Sequence, residues 1–184
     1  MSSTAGRLAA ASGLVGCLAL SLAACGGGGR EYAVPKEVCG VGLSEKALDP
    51  FLVDGEKFRT VGGSLVDTGK KTWGRCQIEV DDWLVVDLTV EMNKKLNDPM
   101  DDLESFRFVN RKKIPALPFE GLGAVGDRNA MVSTACSSPD ADFLSVQMNL
   151  STQVKGDVTR RRKDLEAFAA DFVPRVKNAL GCTA

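Results

Sequence analysis

Residues 73–92 read Trp73-Gly-Arg-Cys-Gln-Ile-Glu-Val-Asp-Asp-Trp-Leu-Val-Val-Asp-Leu-Thr-Val-Glu-Met92, and their alternation sets the fold class. Cys76, Ile78 and Val80 alternate with Gln77 and Glu79, and Leu84, Val86, Leu88, Val90 and Met92 alternate with Val85, Asp87, Thr89 and Glu91. A period of two residues is that of a strand with one buried face. Asp81-Asp82, between the two runs, then predicts a tight hairpin turn.

Working outward, Leu144, Val146, Met148 and Leu150 alternate in the same manner with Ser145, Gln147 and Asn149. The stretches 57–66, 121–125 and 130–136 supply three more strands, with Gly126-Asp127-Arg128-Asn129 turning between the last two. Three helices are expected. The first covers about 44–52, capped by Ser44 and limited by Pro50. A second starts at Asp98-Pro99 and runs to about residue 108. The third covers 157–180, with Leu165, Phe168, Ala169, Phe172, Val173, Val176 and Leu180 on one stripe, Pro174 kinking it and Gly181 ending it.

The order helix, three strands, helix, three strands, helix suggests a duplication. An offset of 60 sets Cys76 on Cys136, Asp82 on Asp142, Trp83 on Phe143, Leu84 on Leu144, Val86 on Val146, Leu88 on Met148 and Val90 on Leu150. The expected fold is α+β: an antiparallel sheet of about six strands from two pseudo-repeated halves, with helices packed on one face.

The amino-terminal thirty residues carry an address. Arg7 is the one charge before an apolar run from Leu8 to Leu22, too short to span a bilayer. The run ends in Leu22-Ala23-Ala24-Cys25, which fits the bacterial lipobox. The thiol is there to be alkylated by a diacylglyceryl group, and the small residues fit the peptidase that frees its amine. A plain secretory site would accept the small residues but would not need the cysteine. Residues 1–24 are thus expected to be a lipoprotein signal peptide, and Cys25 the lipid attachment point. Two or three acyl chains, at about 0.8 kcal/mol per buried methylene, hold a protein far more firmly than one. Gly26 to Gly29 read as a leash, so residues 25–38 are expected to be a lipid-anchored flexible linker and 39–184 a single extracytoplasmic domain.

Removing residues 1–24 leaves 160, enough for one domain with a core, with all 24 acids and 22 of the 23 basic residues and so a net charge of −2. That balance argues against a nucleic-acid partner. Arg160-Arg-Arg-Lys163 opens the third helix and reads as a solvated face. Cys17 leaves with the signal peptide, so Cys39, Cys76, Cys136 and Cys182 remain beside the lipidated Cys25, in a location that favours disulfides. Four cysteines allow three connectivities, and sequence does not separate them. Sequential pairing, Cys39 with Cys76 and Cys136 with Cys182, ties each half to itself and is the expectation. A structural zinc site would need close cysteine pairs or histidines, which the chain lacks.

Three short motifs resemble the small lipoproteins of actinobacteria such as the streptomycetes: Pro35-Lys-Glu-Val-Cys39-Gly40, Trp73-Gly-Arg-Cys76-Gln-Ile with Val80-Asp81, and Ala179-Leu180-Gly181-Cys182. They frame nearly the whole mature chain. The resemblance implies a secreted, lipid-anchored α+β domain with two disulfides, and it brings no catalytic residues.

Chemistry is thin. Without histidine, the Ser-His-Asp and Cys-His arrangements and the commonest general base are gone. Gly121-Leu-Gly-Ala-Val-Gly126 has the G-x-G-x-x-G spacing, but more strand follows it where a dinucleotide site needs a helix. Asp98, Asp101, Asp102 and Glu104 depart from a calcium-loop spacing and suit a helix N-terminus. Asp81 and Asp82, set against Asp142 by the repeat, are the one imaginable carboxylate pair for glycoside hydrolysis. Trp73 lies on the polar side of its strand if Cys76 points inward, beside Arg75, Gln77 and Glu79. It is the candidate contact for a partner, against covering the sheet edge or packing under the Lys70-Lys71 loop.

The expected function is a membrane-anchored, non-enzymatic binding or interaction module on the extracytoplasmic face, with an envelope protein or small ligand as partner and no cofactor or metal. The alternative is a cell-envelope hydrolase using carboxylates or a serine.

Overall fold

The computed structural model describes residues 29–67, 72–138 and 141–182. Residues 1–24, expected to be a signal peptide, Cys25, the expected lipid attachment point, and Lys70-Lys71 lie outside the described residues. A two-stranded ribbon, β1 (Glu37–Val38) and β2 (Val41–Gly42), leads into α1 (Glu45–Leu48), which a 3₁₀ turn Asp49–Phe51 prolongs. The main sheet comprises β3 (Phe58–Gly62), β4 (Trp73–Val80), β5 (Trp83–Asn93), β6 (Lys112–Lys113), β7 (Leu122–Val125), β8 (Asn129–Ala135) and β9 (Phe143–Leu150). The chain closes on α2 (Val158–Ala179). The sheet is antiparallel throughout, in the order β3-β4-β5-β9-β8-β7-β6. The α+β class therefore holds. Seven strands replace the expected six because Lys112-Lys113 adds a short edge beside β7.

Asp81-Asp82 forms the two-residue turn between β4 and β5, with φ of 49° and 66°. Positive φ at both positions is the primed turn geometry that matches the twist of a hairpin. Asp81 also accepts from the Glu56 and Lys57 amides, at 3.1 and 2.8 Å, which fixes the entry to β3. Cys39-Gly40 makes a second such turn between β1 and β2, with φ of 56° and 82°.

The two central strands meet about one pair. Leu88 lies opposite Met148, with Val86 opposite Leu150 and Val90 opposite Val146. The offset of 60 that aligns β5 with β9 does not extend to the cysteines. Cys76 lies opposite Leu88 on β4, whereas Ala130 lies opposite Met148 on β8, and Cys136 falls one residue beyond that strand. The second hairpin has a longer connection than the first, and the longer connection moves β8 along its partner.

One face of the sheet carries the core. Ala130, Val132, Val146 and Met148 pack against Phe168, Ala169 and Val173 of α2. Phe168 stacks on Phe172 with centroids 4.9 Å apart and meets Phe51 edge-on at 6.0 Å, joining α2 to the α1 segment. The Ser44 hydroxyl caps α1 through the Ala47 amide, and the Ser44 amide donates to Asp171 of α2 at 2.9 Å.

The second expected helix is corrected to a 3₁₀ helix, Asp102–Arg107, placed on the sheet face away from α2. Its Arg107 donates to Gln147 at 3.5 Å, and the Arg107 carbonyl accepts from Asn129 at 2.8 Å. Asp98 and Asp101 spend their carboxylates on the Met100 and Leu103 amides, one Asx turn after another. Such local bonds compete with helix formation. Leu103 and Phe106, 82% and 76% exposed, give this segment no buried stripe to extend it.

Among the described residues, contacts with the domain are made from Gly29 and Arg30 onward, ahead of the expected boundary at Cys39: the Gly55 amide donates to the Gly29 carbonyl at 3.4 Å. Arg30 bonds Asp49 and the Leu52 carbonyl, the Glu31 amide donates to Gly55, and Tyr32 donates to the Val53 carbonyl at 2.5 Å. The part of the 25–38 linker from Arg30 onward thus lies along the domain.

Candidate functional site

The four cysteines pair as Cys39–Cys76 and Cys136–Cys182, with Cα separations of 6.1 and 4.7 Å. The first ties the β1–β2 turn to the middle of β4. The second ties the residue after β8 to the residue that follows the α2 cap at Gly181, whose φ of 68° is the left-handed helix stop.

Trp73 opens β4 and is 53% exposed, on the face shared with Arg75 and Gln77. That face is a ladder of ion pairs across strands. Arg59 bonds Glu79 at 2.6 Å and approaches Asp82 at 3.1 Å, and Arg75 bonds Asp87. Hydrogen bonding to these carboxylates, with their charge, raises the Arg59 and Arg75 pKa values above the ordinary one. Asp82 and Asp142 do not come together. Asp82 adjoins the start of the eleven-residue β5, while the Asp142 amide bonds Asn93 at its far end. At about 3.4 Å per residue, roughly 30 Å separates them, far beyond the reach of a carboxylate pair. Gly121–Gly126 runs along β7 into the turn before β8, so the glycines open no helix.

The basic run is where the structure corrects the sequence reading most. Arg160 and Lys163 face solvent, but Arg161 is only 8% exposed, and Arg162 reaches back to Asp127 and the Asn110 carbonyl. Arg161 stands four residues before Leu165, on the same stripe that α2 buries. That spacing was legible in the sequence as the signal that this arginine turns inward.

Around Arg161 the sheet end opens into a cavity of about 340 Å³. Arg161 donates to the Asp127 carbonyl at 2.7 Å and the Gly156 carbonyl at 3.0 Å. Arg128, from the β7–β8 turn, donates to the Leu150 carbonyl at 3.3 Å and the Val154 carbonyl at 2.9 Å. These bonds pin the turn to the β9–α2 connection. Arg107, Asn129, Asn149 and Asp127, whose carboxylate is held by Arg162, complete the polar wall, and Val109, Leu150 and Val158 the apolar one. Burial, then the neighbouring charge of Arg161, lowers the Arg128 pKa from its ordinary value. A hydrogen bond from Asn110, with Arg162 and Arg161 adding to it against burial, holds the Asp127 carboxyl below the usual range.

No family model matches the chain, and no curated protein or solved structure is significantly similar to it.

Among the described residues no group of three or more acids, cysteines or histidines is placed to hold a metal ion, and no helix is long and apolar enough to cross a membrane.

Proposed function

We propose that the protein is a bacterial lipoprotein, cut before Cys25, anchored by lipid on that cysteine to the extracytoplasmic face of the cell membrane, and presenting a binding or interaction domain. The observation that carries this reading is Leu22-Ala-Ala-Cys25, followed at once by Gly26 to Gly29 and then by a domain that Arg30 already contacts. Anchor, leash and domain succeed one another with nothing between them. Two disulfides support the exported location, since such bonds persist in oxidising compartments. The wide separation of Asp82 and Asp142 removes the carboxylate pair on which the hydrolase alternative leaned, and favours a binding module. Trp73 and the charged ladder beside it are the surface offered to an envelope partner. The three short motifs that resemble actinobacterial lipoproteins are in keeping with this reading.

We read the sheet as two three-stranded halves, β3–β4–β5 and β7–β8–β9, meeting at Leu88 and Met148. Support comes from the strand order and from the pairing of Leu88 with its offset equivalent Met148.

The anchoring is tested by feeding cells a radioactive fatty acid. The wild-type protein should take up label and sediment with membranes. Cys25→Ala should lose both properties, and label retained by the variant would refute the assignment.

A further inference from the structure

We propose that the cavity at the β7–β8 turn and the start of α2 binds a small organic oxyanion, a carboxylate or phosphate on an apolar body. Charge is what marks this cavity, independently of any lipid anchor.

Six charged groups meet around this cavity. Arg107 is neutralised by Glu104, and Arg162 by Asp127. Arg128 and Arg161 have no carboxylate within salt-bridge distance among the described residues; their hydrogen bonds run to main-chain carbonyls. The cluster therefore carries two positive charges that the protein does not balance. Buried charges are ordinarily paired, because desolvation costs several kcal/mol per ion. Arg161 is more than nine-tenths buried and still faces a second guanidinium. Burial first, and then the charge of Arg161, lowers the Arg128 pKa.

Each guanidinium has five donor hydrogens, and the carbonyls engage only two nitrogens of each. The remaining edge is the one suited to an oxyanion, which arginine binds through paired hydrogen bonds. Because the carbonyls fix both side chains, the donors are held in place before a ligand arrives, which lowers the cost of binding. The cavity volume falls at the small end of the range for ligand pockets. Val109, Leu150 and Val158 form its other wall and would take a short hydrocarbon body, while Asn149 adds an amide at the rim.

The experiment is calorimetric titration of the purified protein, from whichever cell fraction holds it, at an ionic strength held constant with chloride. The probes are isovalerate, isobutyl phosphate and the neutral isoamyl alcohol. Saturable one-site binding of isovalerate or isobutyl phosphate is expected, with none of the alcohol, and the tighter anion assigns the head group. Arg128→Gln should weaken binding at least tenfold. Because Arg128 also holds two carbonyls, Asn149→Asp serves as a second variant. It leaves both arginines in place, supplies a competing carboxylate at the rim and should also weaken binding tenfold or more. Neither anion binding beyond chloride, or binding of unchanged strength in Asn149→Asp, would overturn the proposal. Failure here would leave fatty-acid labelling of Cys25 unaffected, so the two readings fail separately.

Discussion

Replacing Cys136 and Cys182 together by alanine should remove about 4 kcal/mol of stability. The bond closes a separation of 46 residues, and the loop-entropy relation gives about that figure at 25 °C. Alanine is the right replacement because Cys136 is fully buried, and serine would add the cost of burying a hydroxyl. A domain of this size has roughly 5–15 kcal/mol in all, so the loss is a large fraction of the whole. It should also be felt locally. The bond holds the end of α2 to the sheet, and beyond Gly181 the described backbone is held by one hydrogen bond, from the Cys182 amide to the Lys177 carbonyl at 2.9 Å. Urea unfolding followed by circular dichroism is the assay. With a slope of about 2 kcal/mol per molar, the midpoint should fall by roughly 2 M. Hydrogen exchange should quicken first in the last turn of α2. A midpoint shift below about 0.5 M would refute the view that this bond constrains the unfolded chain.

Other outcomes follow from single contacts. Burial alone would raise the Asp171 pKa, but the Ser44 amide and the Arg175 guanidinium outweigh it and hold the carboxyl below its ordinary value. A depressed folded pKa gives stability that is present above the unfolded value and lost as pH falls through the folded one. Asp171→Asn should therefore cost about 1 kcal/mol at pH 7 by urea midpoint, and the deficit should vanish in strong acid; equal deficits at both pH values would contradict this. The two turn aspartates should respond in opposite directions. Asp82→Gly relieves a left-handed backbone and should raise stability by about 0.5 kcal/mol. Asp81→Gly removes the acceptor for the Glu56 and Lys57 amides and should lower it by about 1–2 kcal/mol.

The sequence made the sheet legible because its two central strands show a period of two, over nine residues from Leu84 to Met92 and seven from Leu144 to Leu150. The period slips where β4 and β5 shift register between Ile78 and Glu79: Val85, expected on the opposite face from Val86, is buried like it, and Leu84 is only half-buried. The helix 157–180 was equally plain from its stripe. The segment after Asp98 was not, because capping residues signal the start of a helix without showing whether a buried face exists to sustain it. Exposed Leu103 and Phe106 decided that question, and their exposure follows from tertiary position. The cysteine correspondence failed for a similar reason, since the length of the second hairpin connection, more than the strand pattern, sets where β8 sits. The cavity was half legible: the place of Arg161 on the α2 stripe could be read, but Arg128 and Arg107 reach it only through the fold. The reach of Arg30 and Tyr32 onto the domain was likewise invisible, because single contacts across twenty residues leave no periodic trace.

The central claim is the anchor at Cys25, and its most direct test is the mass of the amino-terminal peptide of the protein recovered from the membrane fraction. The account predicts a peptide that begins at Cys25 and carries the mass of a diacylglyceryl group, with residues 1–24 gone. A peptide beginning at any other residue, or an unmodified Cys25, would contradict it.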